Sequence, residues 1–398
     1  MKISRYLLVG AVIASSAVGL APASAAPATS WRLDLSQPSE DSTNITTDGS
    51  VRLGSEANRA ASVETSLRTG IAVYPRSLPT PANTFAATAR STVPAGAELA
   101  VDVRGRMPDG QWTEWAEIRP DAAGVLPVAA KDVEVRAMLS APDGVASPSL
   151  SSLTVTPSSS ARAPSSRAAD AGLTYKVFAT REGLVGGTTA NGHVIVARDH
   201  FVALPSRRGL SGKGAGDYSV RVCADNGRCE WAPTWDVGPW NTRDDYWSPP
   251  DVRQEWKDLP QGKPESQAAN QDGYHGGKDQ FGRKVANPAG IDLADGTFWD
   301  GLKLTDNSWV TVTYQWTGSD PAGYVRTAGE PLNARTEPNS ASAIVGMAAN
   351  YAQVRVECEA TGEEITGTQG TTNLWYRLAA GKFVSAAYVS GGGEATAC

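Results

Sequence analysis

The segment HVIVARDHFVALP, residues 193–205, holds two of the chain's three histidines, seven residues apart, with Asp199 beside the second. Imidazole and carboxylate groups bind transition metals and also transfer protons in catalysis. The spacing of His193 and His200 matches no established zinc pattern, and the sequence has no C-x-x-C pair. We therefore predict no metal and no cofactor. His200 stays a candidate acid or base, with a half-buried structural histidine as the alternative.

Length and charge limit the classes of partner. The chain has 398 residues, which predicts two to four folded units. It carries 36 Lys and Arg against 42 Asp and Glu, a formal net charge of −6, with both signs interspersed. Such a surface does not favour nucleic acid or an anionic lipid surface, so neither is predicted as a partner.

The first 25 residues have the pattern of a secretory signal peptide. MKISR supplies the positive end, an apolar run follows, and Ala23-Ser24-Ala25 offers an A-x-A cleavage site. The apolar run is shorter than the roughly 20 residues that a membrane-spanning helix needs. We predict an exported protein, extracellular or associated with the cell wall, without membrane insertion.

Export makes disulfides chemically available to the four cysteines. Of the three possible pairings, we favour the local one, Cys223 with Cys229 and Cys358 with Cys398. In VRVCADNGRCEW, a three-residue loop with Gly227 in the left-handed conformation places Cys223 opposite Cys229 on a hairpin.

Composition divides the rest of the chain into units. Residues 31–156 show period-two alternation between turn signals, which predicts a β-sandwich that either binds carbohydrate or serves as a spacer. Residues 157–172, rich in Ser, Ala, Pro and Arg, predict a linker. Residues 173–318 and 324–398 predict two further β units, so the chain is expected to be mainly β. Helical character is limited to PPDVRQEWKDL, which starts at Pro249.

The C-terminal unit resembles the bacterial SH3-like domain of secreted cell-wall proteins. The matching motifs are LNAR at 332–335, VG at 345–346, WYRL at 375–378 and FVSAAYV at 383–389. The resemblance implies a small β-barrel that holds the protein against peptidoglycan. The alternative is a barrel that packs on its neighbour and binds nothing.

Residues 173–318 resemble the double-psi β-barrel of the rare-lipoprotein-A, expansin and family-45 endoglucanase group. Four segments follow the order of that group. They are the TANG turn at 189–192, His200 with Leu204-Pro205, DVGP at 236–239, and IDL at 291–293. The resemblance implies a groove over the barrel that receives a polysaccharide.

The same resemblance assigns roles to acidic residues. It places Asp292 at the group's conserved acid and Asp236 at the aspartate of its D-R-G-P segment, with His200 near enough to hydrogen-bond one of them. Cleaving a glycosidic bond requires a proton donor and often a second carboxylate. Asp292 is thus the predicted general acid, supported by Asp236 and His200. The alternative is that both aspartates only terminate strands or cap turns.

The chain departs from the group's pattern at two positions. His193 stands where the rare-lipoprotein-A group has an acid directly after TANG, and Val237 replaces the arginine of D-R-G-P. A neutral imidazole does not supply the charge of a carboxylate, which favours glycan binding without cleavage. Asn191 and His193 are accordingly predicted substrate-binding residues.

Aromatic side chains add a second indication of carbohydrate. Eight of the twelve tryptophans lie in residues 173–318. Indole rings can stack on the apolar faces of sugars. Trp240 and Trp247, in the polar segment PWNTRDDYW, are the predicted exposed ones. The long connection from Thr242 to Asn287 is predicted to form one wall of the groove.

These patterns predict a secreted, expansin-like protein that binds cell-wall polysaccharide such as peptidoglycan or a cellulose-like glycan. The prediction extends to remodelling of this polysaccharide. One alternative is a glycan-cleaving lytic transglycosylase or endoglucanase-like hydrolase. Another is a protein-interaction module that inhibits a secreted protease. An open groove with both aspartates favours glycan chemistry, whereas a filled groove favours interaction with a protein.

Overall fold

The computed structural model describes residues 29–54, 67–160 and 172–398. The predicted signal peptide and residues 161–171 of the predicted linker lie outside the described residues. The fold is mainly β, as predicted, and contains several sheets. Across the described ranges, no helix is both long and apolar enough to cross a membrane.

The N-terminal unit is one eight-stranded sheet within the described residues. Its strands in chain order are β1 (Trp31–Arg32), β2 (Ile45–Thr46), β3 (Val51–Leu53), β4 (Leu67–Thr92), β5 (Glu98–Gly105), β6 (Ala116–Glu117), β7 (Gly124–Pro142) and β8 (Ser149–Ser158). The long strand β4 pairs with β7 along its first part and with β8 along its last part. The sheet encloses an aliphatic core in which Val103, Leu126 and Leu153 are fully buried.

The central unit is a closed six-stranded barrel. Its strands are β9 (Thr174–Arg181), β10 (Val202–Leu204), β11 (Ser219–Ala224), β12 (Cys229–Val237), β13 (Ala289–Leu293) and β14 (Ser308–Tyr314). They are hydrogen-bonded in the order β10-β13-β9-β14-β11-β12, and the pairing of β12 with β10 closes the ring. Two contacts are parallel, β10 with β12 and β9 with β13. Alternate residues fill the interior, as Val220 and Val222 of β11 do.

The C-terminal unit contains five strands that continue the sheet of the barrel and a separate three-stranded sheet. Its strands are β15 (Ala322–Val325), β16 (Leu332–Arg335), β17 (Ile344–Ala348), β18 (Gln353–Arg355), β19 (Cys358–Gly367), β20 (Gly370–Ala379), β21 (Lys382–Ser385) and β22 (Val389–Gly391). The five strands that continue the barrel sheet lie in the order β17-β16-β21-β20-β19, and the separate sheet has the order β18-β15-β22. Strand β17 pairs in parallel with β12 of the barrel. Gly346 allows this approach, because a Cβ there would lie 2.0 Å from the Cys229 carbonyl oxygen.

The three units share buried surfaces. Ile71, Trp115 and Met138 of the N-terminal sheet belong to the same apolar core as the barrel strands. Arg207, 4% exposed, pairs with Glu98 and Glu117 of that sheet at 2.9 and 3.4 Å. The N-terminal sheet is therefore packed directly on the barrel.

The connection between β12 and β13 contains the α-helix of the described chain, α1 (Glu265–Asp272). The segment from Pro249 predicted to have helical character forms turns instead. Trp256 in that segment has a φ of 49°, which is incompatible with a right-handed helix.

Both predicted disulfides are confirmed. Cys223 pairs with Cys229 across the β11–β12 hairpin, and Cys358 pairs with Cys398. The hairpin loop spans residues 225–227, and Gly227 has a φ of 84°, as the sequence predicts. Disulfides are typical of proteins that fold in an oxidising compartment.

Candidate functional site

Asp236 and Asp292 lie on either side of the short strand β10. Ala203 of β10 pairs with Asp236 of β12 on one side and with Asp292 of β13 on the other. Paired residues of neighbouring strands project from the same face of a sheet. Ile291 and Leu293 point into the barrel core, so Asp292 points outward. The barrel topology thus brings together two aspartates that are 56 positions apart in sequence.

A third carboxyl, that of Glu182, joins them. Thr180 of β9 pairs with Asp292, and Glu182 follows two residues later on the same face of the strand. The Glu182 amide donates to the Leu293 carbonyl at 2.9 Å, which continues the ladder beyond β9. Both of its carboxyl oxygens are buried without a hydrogen-bond partner among the described residues, and the Asp236 carboxyl is near enough for its charge to raise the pKa of Glu182. We call Glu182, Asp236 and Asp292 the carboxyl cluster.

Glu182 was not among the predicted site residues, because it lies in none of the four motifs that carry the resemblance. The available signal was the period of the strand, since in TYKVFATRE every second position shares one face. Thr180 and Glu182 therefore project beside whichever acid occupies the adjacent strand.

Burial controls the protonation of this cluster. It raises the pKa of Glu182 well above its usual range, and the negative charges of Asp236 and Asp292 raise it further. Burial also raises the pKa of Asp236, to about 6, although its Oδ1 accepts hydrogen bonds from the amides of Ala190 and Val237 at 2.7 and 2.8 Å. Burial and the neighbouring negative charges therefore both favour the protonated form of Glu182.

Asp292 is held differently. Its Oδ1 accepts a hydrogen bond from the Thr180 hydroxyl. A Cβ added at Gly238 would lie 3.8 Å from Asp292 Oδ2. The glycine of the DVGP segment thus leaves space beside this oxygen, and any other residue there would narrow it.

The space over Asp236 is small. A cleft of about 40 Å³ lies between the barrel and the N-terminal sheet, with Asp236, Gly238 and Trp240 on one side and Leu67, Met138 and Ser140 on the other. Since one water occupies about 30 Å³ of liquid, this volume holds about one water molecule. The N-terminal sheet covers Asp236 to an extent that the sequence did not predict.

The structure separates His200 from the cluster. His200 Nδ1 lies 2.9 Å from Glu230 Oε1, and Glu230 is fully buried near the start of β12. Asp236 is six residues farther along that strand, which corresponds to roughly 20 Å. The predicted hydrogen bond from His200 to Asp236 or Asp292 is not formed.

His193 and Asn191 organise the TANG turn. His193 Nε2 lies 2.8 Å from Asp199 Oδ2, and its ring packs on Trp235 with centroids 4.7 Å apart. Asn191 is 1% exposed, and its side chain bonds to Thr189 Oγ1 and to the carbonyl of Ser211. The contacts of both predicted binding residues are those of turn and core residues.

The prediction that Trp240 and Trp247 are exposed is wrong. Trp240 is 7% exposed and donates its indole N–H to Asn287 Oδ1 at 3.1 Å. Trp247 is 1% exposed and donates to Glu114 Oε1 of the N-terminal unit at 2.7 Å. Exposure was predicted from the polar residues next to these tryptophans in sequence. In the structure both indoles are covered by residues that are distant in sequence.

The fold and the site together define a mainly β protein built on a closed barrel with a cluster of three carboxyls on its outer wall. Among the residues that the structure describes, no group of three or more His, Cys, Asp and Glu side chains is arranged to hold a metal ion.

Residues 173–313 match the sequence model of a domain of unknown function, DUF8814. The match covers the six barrel strands except the last residue of β14, and it includes the entire carboxyl cluster. No curated protein and no solved structure matches the chain.

Proposed function

We propose that this chain is an exported protein that binds cell-wall polysaccharide and remodels it through the carboxyl cluster. The observation that carries the proposal is the convergence of Glu182, Asp236 and Asp292 on one face of the barrel, with burial raising the pKa of the first two. The resemblance of residues 173–318 to the rare-lipoprotein-A and expansin group supports a glycan as the substrate.

The cluster has the groups that glycoside cleavage needs. Protonation of the glycosidic oxygen requires a carboxyl that keeps its proton near neutral pH, which the raised pKa of Glu182 supplies. As the C–O bond breaks, the proton passes from Glu182 to the leaving oxygen. Asp292 then takes a proton from the water that attacks the sugar carbon. Asp236 acts through Glu182, because its negative charge raises the pKa of the Glu182 carboxyl and so keeps the proton on it.

This assignment differs from the one that the sequence favours. Glu182 replaces Asp292 as the proton donor, and His200 has no part in the reaction. The sequence motifs that resemble SH3-like domains support attachment to peptidoglycan through the C-terminal unit.

The experiment is incubation of the purified chain with peptidoglycan and with cellulose, scoring bound protein and released soluble fragments separately. Release by the native chain, lost in Glu182→Gln and Asp292→Asn while binding persists, supports the proposal. Glu364→Gln is the matched control, since Glu364 is an exposed acid of the C-terminal unit. Release that is unchanged in both cluster variants, or absent from the native chain, overturns the proposed reaction.

A second candidate is inhibition of a secreted protease. The observation that favours it is the narrow cleft of about 40 Å³ over Asp236, which excludes a sugar ring in this conformation. This candidate predicts no sedimentation with insoluble glycan and a measurable inhibition constant against secreted proteases. The two outcomes of the sedimentation assay separate the candidates.

A further inference from the structure

An open groove runs between the N-terminal sheet and the β12–β13 connection. It has a volume of about 540 Å³, within the roughly 300–1,000 Å³ typical of ligand sites. Leu67, Glu98 and Ser140 line the side of the N-terminal sheet, and Trp256, Gln280 and Phe281 line the opposite side. The groove thus has one wall from each unit.

The groove shares a wall with the narrow cleft over Asp236. Leu67, Glu98 and Ser140 line both cavities. The groove therefore lies beside Asp236, the one member of the carboxyl cluster that the narrow cleft reaches.

The lining favours an uncharged ligand with apolar faces. Phe281 is 43% exposed, and the half-buried Trp256 lies on the same side. The Arg283 guanidinium, 5.0 Å from the Phe281 ring centre, holds that ring in place. Exposed aromatic faces stack on the apolar faces of sugars.

Charge in the groove argues against a polyanion. Arg243 is paired with Glu98 at 2.7 Å and with Glu117 at 3.0 Å. Glu255 adds a further negative charge to the lining. The groove therefore carries no excess positive charge that would attract an acidic polymer.

We propose that this groove binds a short uncharged segment of the polysaccharide, with Trp256 and Phe281 stacking on its sugar rings. The proposal rests on the proposed function and specifies where the substrate lies. It also gives the N-terminal unit a role, since this unit forms one wall of a composite binding site. The ion pairs of Arg207 and Arg243 with Glu98 and Glu117 hold that wall in position.

The test uses the full chain and two soluble probes, cellohexaose and chitohexaose, with affinity measured by calorimetric titration. Phe281→Ala and Trp256→Ala are each expected to weaken binding of at least one probe about tenfold. Trp299→Ala is the matched control, because Trp299 is 37% exposed and lies outside the groove lining. It is expected to bind as the native chain does.

A substitution that fills the groove from the side of the N-terminal sheet tests whether this wall takes part in binding. Ser140→Trp places an indole in the groove and is expected to abolish binding while the circular dichroism spectrum stays native. The groove assignment is overturned if Ser140→Trp and Phe281→Ala bind the probes with native affinity, or if the native chain binds neither probe. It is also overturned if Trp299→Ala loses as much affinity as the groove variants. Normal probe binding in Glu182→Gln without release by the native chain overturns the reaction alone, so the two proposals fail separately.

Discussion

His200 and Glu230 form a buried ion pair, with Nδ1 of the imidazole 2.9 Å from Oε1 of the carboxylate. The Thr297 hydroxyl donates to the same oxygen at 3.0 Å. Burial alone lowers the pKa of His200, but the charge and hydrogen bond of Glu230 outweigh it, and the pKa is raised. Gly301 leaves room for Glu230, because a Cβ there would lie 1.4 Å from Oε2.

This pair predicts that His200 contributes stability. His200→Ala leaves the Glu230 carboxylate buried without its charged partner and is expected to lower the free energy of unfolding by about 3 kcal/mol. A histidine whose pKa is raised in the folded state makes its full contribution to stability at pH values below its unfolded pKa of about 6.5. It loses this contribution as the pH rises through its folded pKa. Urea unfolding at pH 6 and pH 9 is therefore expected to show the larger deficit at pH 6. Loss of glycan release with unchanged unfolding midpoints would restore a catalytic role for His200.

The sequence predicted the parts of the fold that depend on local pattern. The Asp225-Asn226-Gly227 loop predicted the register that places Cys223 opposite Cys229. The four motifs, taken in order, predicted Asp236 and Asp292 through the resemblance. The barrel topology then places these two residues on either side of β10. Glu182 required knowledge of which strand lies next to β13, and this is not visible in the local sequence.

Burial of the tryptophans could not be predicted, because it depends on contacts between units. Trp247 and Trp316 both donate their indole N–H to Glu114 Oε1, each at 2.7 Å, although Glu114 lies 133 and 202 residues away in sequence. Arg208 binds the other oxygen of Glu114 at 2.8 Å. Nothing in the local segment PWNTRDDYW indicates that Glu114 accepts a hydrogen bond from Trp247.

The contact between Trp247 and Glu114 predicts a structural role for the indole. Trp247→Ala removes a fully buried ring stacked on Tyr314 and is expected to cost about 3–5 kcal/mol. Thermal and urea unfolding measure this loss, and Trp299→Ala, at an exposed site, is the control expected within about 0.5 kcal/mol of the native chain. A Trp247→Ala protein of native stability that fails to bind glycan would return this residue to the binding surface.

The two disulfides are expected to contribute unequally. Cys358 and Cys398 are 40 residues apart, whereas Cys223 and Cys229 are six apart. In the chain-entropy model, removing the long loop's bridge costs about 4 kcal/mol and removing the short one about 2 kcal/mol. The paired serine variants, compared by urea unfolding, are therefore expected to differ by about 2 kcal/mol. The opposite order would show that the hairpin bridge stabilises the barrel through native contacts rather than chain entropy.

The raised pKa of Asp236 predicts that the stability of the fold decreases as pH rises. Its pKa is raised by burial from 3.8 to about 6, so between these values the native state holds a proton that the unfolded chain has released. The free energy of unfolding then decreases with pH across this window, by on the order of 2–3 kcal/mol. Asp236→Asn keeps an oxygen that accepts from the amides of Ala190 and Val237 but cannot ionise.

The variant is therefore expected to gain stability relative to the native chain as pH rises from 4 to 7. Urea unfolding at closely spaced pH values measures the difference between the two proteins. Asp306→Asn, at an exposed acid, is expected to follow the native curve throughout. Parallel curves for Asp236→Asn and the native chain would mean that burial does not raise the pKa of Asp236 in the folded protein, and the predicted pH dependence would then be wrong.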